Sequence, residues 1–186
     1  VARLEVPVRL RWSDMDAYAH VNNVQMMTLL EEARIEAFWR HPPLAGAEHA
    51  PTDPEGAPAG DAAGTVGVAR GDGSARPTAV LRAGPGAEVA TLVARHEVEY
   101  LLPLAYQRRP VVVVLWVGHL GGASLDICYE VHDLPPGDPA SAVHARAMST
   151  LVLVDAATGA PRRISAEERA AWSPFLEEPV AFRRRR

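Results

Sequence analysis

The chain has 186 residues, 48% of them hydrophobic, which is enough for one domain with a sizeable core. Its formal net charge of −4, with 19 basic residues that are all arginine, argues against general nucleic-acid affinity. The single cysteine, Cys128, excludes an internal disulfide, and no run approaches the ~18–20 apolar residues of a membrane span. Residues 1–13 alternate charge with apolar residues, unlike a signal peptide, so a cytoplasmic protein is expected.

Residues 4–12 alternate Leu4, Val6, Val8, Leu10 and Trp12 with polar positions, the period of a half-buried strand. Pro7 cannot donate to a ladder and puts that strand at an edge. Residues 23–40 read as a long helix with Asn22 or Asn23 as its cap. Its polar stripe (Gln25, Thr28, Glu32, Glu36) is narrow, so a sheet is expected to wrap the helix. His41-Pro42-Pro43 ends it.

Residues 41–80 hold ten Ala, seven Gly and six Pro, a composition that buries little and is costly to order. A mobile insertion is expected there, as a surface loop or a lid, with short helix or strand pieces at 64–70 and 78–83. Four strands follow, at 88–101, 110–120, 123–132 and 142–154. The second carries Val111-Val112-Val113-Val114-Leu115-Trp116-Val117, apolar on both faces, and must be covered on both. The helix covers one, and a second subunit could cover the other. Gly121-Gly122 supplies a hairpin turn, and Thr158-Gly159 a turn after the last strand. Ser165 with Glu168 forms a capping box for a short helix at 166–172, and 173–186 is a tail whose arginines, Arg183 to Arg186, are a solvated end.

The chemistry concentrates where the first strand gives way to the helix, in Asp14-Met15-Asp16-Ala17-Tyr18-Ala19-His20-Val21-Asn22-Asn23. A helix N-terminus offers unpaired N–H groups and a partial positive charge, and a carboxylate just upstream could face whatever oxygen they hold. Asp16 could equally be an Asx-turn carboxylate leading into the helix. The seven His show no metal-ligand spacing, and Ser124, Ser149 and Ser165 lack a nucleophile-elbow context, so neither a metal nor a cofactor is expected.

That stretch, with Leu30-Glu31-Glu32-Ala33-Arg34 after it, resembles the hotdog-fold acyl-CoA thioesterases of the 4-hydroxybenzoyl-CoA thioesterase type. The family pattern is Asp-x-Asp, then Gly-His-Val-Asn-Asn, then an acidic-Ala-Arg stretch. Val152-Leu153-Val154-Asp155 and Pro161-Arg162-Arg163-Ile164 resemble its last strand and exit. The resemblance implies an α+β hotdog fold, an antiparallel sheet of about five strands around one long central helix, with the Gly/Ala/Pro-rich insertion after the helix. It also implies a homodimer or a tetramer of dimers. The match departs at Ala19, where the family commonly has Gly; a φ above zero there costs alanine ~1 kcal/mol or more.

Carried over residue by residue, the resemblance makes Asp16 the catalytic carboxylate, as nucleophile or as base on a water. The backbone N–H of Asn23, with Val24 beside it, would polarise the thioester carbonyl. Asp14 bonds turn amides. His20 and Asn22 touch substrate or hold the turn. Glu31 faces the active site or simply pairs with Arg34. Coenzyme A phosphates need arginine, with Arg108, Arg109, Arg162 and Arg163 as candidates. The expected activity is acyl-CoA hydrolysis, with acyl-carrier-protein thioesters as an alternative substrate. A hydratase is disfavoured because no Gly-Asp-x-Asn-Pro-like run occurs, and a non-catalytic acyl-CoA binder is the rival from another class.

Overall fold

A computed structural model describes residues 2–40, 76–82 and 86–183. In chain order they form β1 (Leu4–Val8), α1 (Asn23–Phe38), β2 (Trp39–Arg40), β3 (Leu81–Arg82), β4 (Val89–Tyr100), β5 (Val111–Leu120), β6 (Ser124–His132), β7 (Val143–Asp155) and α2 (Ala166–Trp172). Five strands make one antiparallel sheet in the order β1-β5-β6-β7-β4, curled around α1. The expected fold is therefore the observed one. β1 is an edge strand, and Pro7 sits opposite Val112 within it, as expected of a residue that cannot donate to a ladder. The first strand is shorter than its alternation implied. A single 3-10 turn at Trp12–Asp14 ends the extended chain, stabilised by bonds to Asp14.

The inner face carries Leu4, Val6 and Val8 against Val111, Val113 and Leu115, continued by Ile127 and Tyr129 on β6 and by Ala145 and Ala147 on β7. On α1, Met26, Leu29, Leu30, Ala33, Ala37 and Phe38 close over it, all buried. α1 lies closest to β1 and β5, so the β4 side of the helix is the open side.

The outer face of β5 is covered by the chain itself and not by a second subunit. Val112, Val114 and Trp116 are buried there. The segment after α2 runs across the sheet: Leu176 bridges Val117, Trp116 Nε1 donates to the Glu178 carbonyl at 3.0 Å, and Arg3 stacks on the Trp116 ring at 4.1 Å. A Cβ added at Gly118 would come within 2.6 Å of Cys128 Sγ and 3.3 Å of Pro179, so only glycine lets the strap lie this close. Residues 173–182 are thus a packed strap. Arg183 is exposed, with its N–H on Glu99, while 184–186 lie outside the described residues.

Most of the 41–80 expectation, including the piece at 64–70, also lies outside the described residues. The short strand piece expected at 78–83 is present as Leu81–Arg82. Thr78 is fully buried and donates to the Ala37 carbonyl at 2.5 Å, and Leu81–Arg82 pairs in parallel with Trp39–Arg40. The capping box stands as expected: Ser165 and Glu168 exchange backbone-to-side-chain bonds, and Arg162 clamps the same Glu168.

Candidate functional site

The strand-to-helix junction is a tight hairpin. The Asn22 N–H donates to the Asp14 carbonyl at 2.9 Å, Met15 bridges Val21, and the Asp16 N–H donates to the His20 carbonyl at 2.7 Å. The hairpin is docked to the chain after β4: the Val21 N–H donates to the Leu104 carbonyl at 2.8 Å, and His20 bridges Ala105.

The two acids have separate duties. Asp14 is buried and accepts the Arg11 N–H at 2.7 Å and Arg11 Nε at 2.9 Å. It braces the turn before the hairpin and does not bond the amides around Asp16. Asp16 sits at the hairpin tip, where Oδ1 accepts the N–H groups of Tyr18 at 2.8 Å and His20 at 3.1 Å. That is the Asx-turn geometry anticipated for it. The His20 amide chiefly, and then the Tyr18 amide, hold the Asp16 carboxyl below the usual carboxylate range against the opposing pull of desolvation. Oδ2 has no partner among the described residues. One oxygen fixes the side chain and the other is available.

Ala19 has φ +60° and is the one non-glycine residue with positive φ among those described. The strain anticipated at this position is present, and the hairpin forms despite it: the Ala19 N–H still donates to the Asp16 carbonyl at 3.1 Å. Ala19→Gly is expected to raise stability by about 1 kcal/mol, offset in part by glycine's larger unfolded-state entropy. Urea denaturation at constant m-value measures it.

Asn22 is the helix cap. Its Oδ1 accepts the Val24 N–H at 2.8 Å, which removes that amide from any other duty. The Asn23 N–H, at the first helical position, has no acceptor among the described residues. The Gln25 N–H in the same turn likewise has none among the described residues. The Val24 side chain is 70% exposed beside it.

Tyr100 completes this corner, although nothing in its local pattern singles it out. From the end of β4, its hydroxyl donates to the Asn23 carbonyl at 3.2 Å, and desolvation pushes its pKa up. No motif announces a tyrosine that meets the helix across 77 residues of chain. Trp12 and Tyr106 form an edge-on pair with centroids 5.3 Å apart, and both are exposed near the hairpin's supports. Their aromatic character was the available signal.

The other anticipated residues lie farther off. Glu31 is two turns along α1 and pairs with Arg34 at 3.3 Å, the i, i+3 arrangement. Arg108 and Arg109 are exposed on the 101–110 segment that carries the hairpin's supports, and no contact among the described residues brings them to Asp16. Arg162 is committed to Glu168. No group of three or more His, Cys, Asp or Glu side chains placed to hold a metal occurs among the described residues. No helix among them is long and apolar enough to cross a membrane.

Residues 10–180 match the family model described as the thioesterase-like superfamily. No curated protein matches the chain. A predicted thioesterase from Bacillus stearothermophilus superposes with a TM-score of 0.61 at 20% identity, over 96% of this chain and 100% of that one. A Pseudomonas aeruginosa protein, named as a candidate thioesterase, is 26% identical with a TM-score of 0.54, over 91% and 95% of the two chains. A Thermus thermophilus thioesterase complexed with coenzyme A and zinc gives 0.56 at 20% identity, over 94% and 95%. The two likenesses at 20% identity show a shared fold.

Proposed function

The chain belongs to the thioesterase-like superfamily, and on that premise we propose that it hydrolyses acyl-CoA thioesters to free acid and coenzyme A. The observation that carries the reading is the hairpin-to-helix corner. A carboxylate pinned by one oxygen leaves the other open, just ahead of a helix whose first N–H is also open.

In this mechanism the thioester carbonyl oxygen accepts the Asn23 N–H, where developing negative charge meets the positive end of α1. Asp16 Oδ2 either attacks the carbonyl carbon, giving an acyl anhydride that water then opens, or takes a proton from an attacking water. In both courses the C–S bond breaks and the thiolate leaves with the electron pair. The leaving group is good enough that one carboxylate and one polarising donor suffice. His20 and Asn22 hold the hairpin and the cap, and Val24 borders the reacting carbonyl. Arg108 and Arg109 are the proposed contacts for the coenzyme A phosphates. The coenzyme A bound by the Thermus thermophilus relative supports that substrate class.

The proposal includes a homodimer, or a tetramer of dimers, paired along β4. This is a twelve-residue edge strand whose outer side has no strand beside it among the described residues, with Leu92 54% and Val93 42% exposed. Edges this long and apolar pair readily with another copy. Release of free thiol from acyl-CoAs of varied chain length tests the activity, and its absence across the series would leave only an acyl-CoA binder. Light scattering is expected to give two or four times the 20.0 kDa chain mass. Putting charge on the edge with Leu92→Asp and Val93→Asp together is expected to lower both the mass and the rate.

A further inference from the structure

The segment that docks the Asp16 hairpin is itself fastened by one residue of β7. The β4–β7 ladder ends at the Tyr100–Ala145 pair. Beyond it the His144 carbonyl accepts the N–H groups of Leu101 at 2.8 Å and Leu102 at 3.2 Å. Pro103 comes next and has no N–H, so backbone pairing stops there. The His144 side chain takes over: its Nδ1 lies 2.9 Å from the Pro103 carbonyl oxygen. One residue on, the Leu104 carbonyl accepts the Val21 N–H at 2.8 Å, and Ala105 bridges His20. The imidazole and the hairpin are thus bound to adjacent carbonyls of one short segment.

This bond fixes the proton on the ring. A carbonyl oxygen only accepts, so Nδ1 carries the proton and donates it. His144 is buried, and its Nε2 has no hydrogen-bond partner among the described residues. Nε2 faces Asp133 Oδ2 at 3.7 Å. In the neutral ring it presents a lone pair to that carboxylate, and in the imidazolium it presents a proton. Both forms keep the Nδ1 proton on Pro103, so the clamp does not depend on which is present.

Asp133 is built into the same support. Its Oδ1 accepts the Ala142 N–H at 2.8 Å, and its carbonyl accepts Gln107 Nε2 at 2.7 Å. Asp133 and His144 stand at the base of the β6–β7 connection. Between them they grip the segment at Gln107 and at Pro103, on either side of the residues that hold the hairpin.

We propose that His144 is a positioning residue for the reaction at Asp16, acting through Pro103 and Leu104. The inference rests on the thioesterase reading and extends it to a residue outside the corner. Val21 pairs with Met15 to close the hairpin, and it directly precedes the Asn22 cap and the Asn23 N–H. Freeing Pro103 loosens the Leu104 carbonyl and, with it, the Val21 N–H and the hairpin tip. A misplacement of about 1 Å can cost about 10²-fold in rate. Gln107 still anchors the end of the segment that carries Arg108 and Arg109, so the loss falls on kcat more than on KM.

The test uses two variants and one reading of the wild type. His144→Leu removes the donor, and His144→Asn keeps an N–H near the Nδ1 position. In His144→Leu, kcat per folded molecule is expected to fall about tenfold with KM within about twofold, and His144→Asn should recover to within about threefold of the wild type. Hydrogen exchange at the Val21 amide should quicken about tenfold in His144→Leu and stay near the wild-type rate in His144→Asn. Nitrogen NMR of the wild-type rings should place the proton of neutral His144 on Nδ1, a reading that stands even where His144→Leu does not fold. A neutral ring protonated at Nε2, a kcat in His144→Leu within about twofold of the wild type, or an equal loss in both variants would overturn the assignment. Absence of thiol release from any acyl-CoA would remove the thioesterase reading by itself. The ring proton and the Val21 exchange would then still decide whether His144 positions the hairpin.

Discussion

Asp16→Asn is expected to lower the rate of thioester hydrolysis by about 10³-fold or more while leaving the fold and stability nearly unchanged. The substitution is well suited to the site. Asparagine Oδ1 can accept the same two N–H groups, from Tyr18 and His20, that Asp16 Oδ1 accepts now. The hairpin and the Asn22 cap then survive, and what disappears is the negative charge on the outer oxygen. Purified protein assayed for thiol release, with circular dichroism as the control for folding, reads the effect. Activity within tenfold of the wild type would remove Asp16 from the reaction. The pH profile gives a second reading of the same group. Because its pKa is lowered, the carboxylate stays charged through neutral pH and is lost only as pH falls through a value below the usual carboxylate range. The acid limb of kcat/KM should therefore lie below the usual carboxylate range. The sign for stability is the same: any contribution from this carboxylate is present above the unfolded-state pKa and lost as pH falls through the folded one.

What could be read from the sequence was what neighbouring residues decide. Pro7 at an edge, Asn22 as a cap and the Ser165–Glu168 box are each fixed by chemistry within a few positions, whereas the left-handed conformation at Ala19 was suggested only by the family's glycine there. The separation of Asp16 from Asp14 needed the family pattern, because both acids precede the same helix and either could cap a turn. The remainder depended on distant pairings. The cover over Trp116 comes from the two distant ends of the chain, a carbonyl of Glu178 that any residue could have supplied and the Arg3 side chain, so the doubly apolar strand pointed outward to a partner whose place the chain itself takes. The His96–Ser149 contact joins positions 53 apart and depends on register: one residue of slip would turn His96 to the other face of the sheet. A bulge between Val93 and Arg95 sets that register, and no turn residue or glycine announces it.

Trp172→Ala is expected to cost about 3–5 kcal/mol of stability, the range for emptying a buried aromatic site. Trp172 is fully buried on α2, its ring edge-on to Phe38 at 6.0 Å. Its Nε1 donates to the Thr78 carbonyl at 3.1 Å, and the Thr78 hydroxyl donates in turn to the Ala37 carbonyl at the end of α1. One side chain thus joins the last turn of the central helix, the returning end of the 41–80 segment and the C-terminal helix. Its removal opens a cavity against Phe38 and leaves the Thr78 carbonyl without that donor. For a chain of this size, the loss corresponds to a fall in Tm of about 10 °C. Trp172→Phe separates the two contributions, since it keeps most of the ring and loses the N–H, and should cost about 1–3 kcal/mol. The site itself should be spared. Phe38 is fifteen residues from Asn23, about 22 Å along a continuous helix, and the corner that holds Asp16 is braced by Asp14, Leu104 and Tyr100 at the other end. At a temperature where Trp172→Ala remains folded, kcat/KM per folded molecule should match the wild type. If activity instead falls with the protein fully folded, the two ends of α1 move together, and the position of the Asn23 amide depends on packing at the far end of the helix.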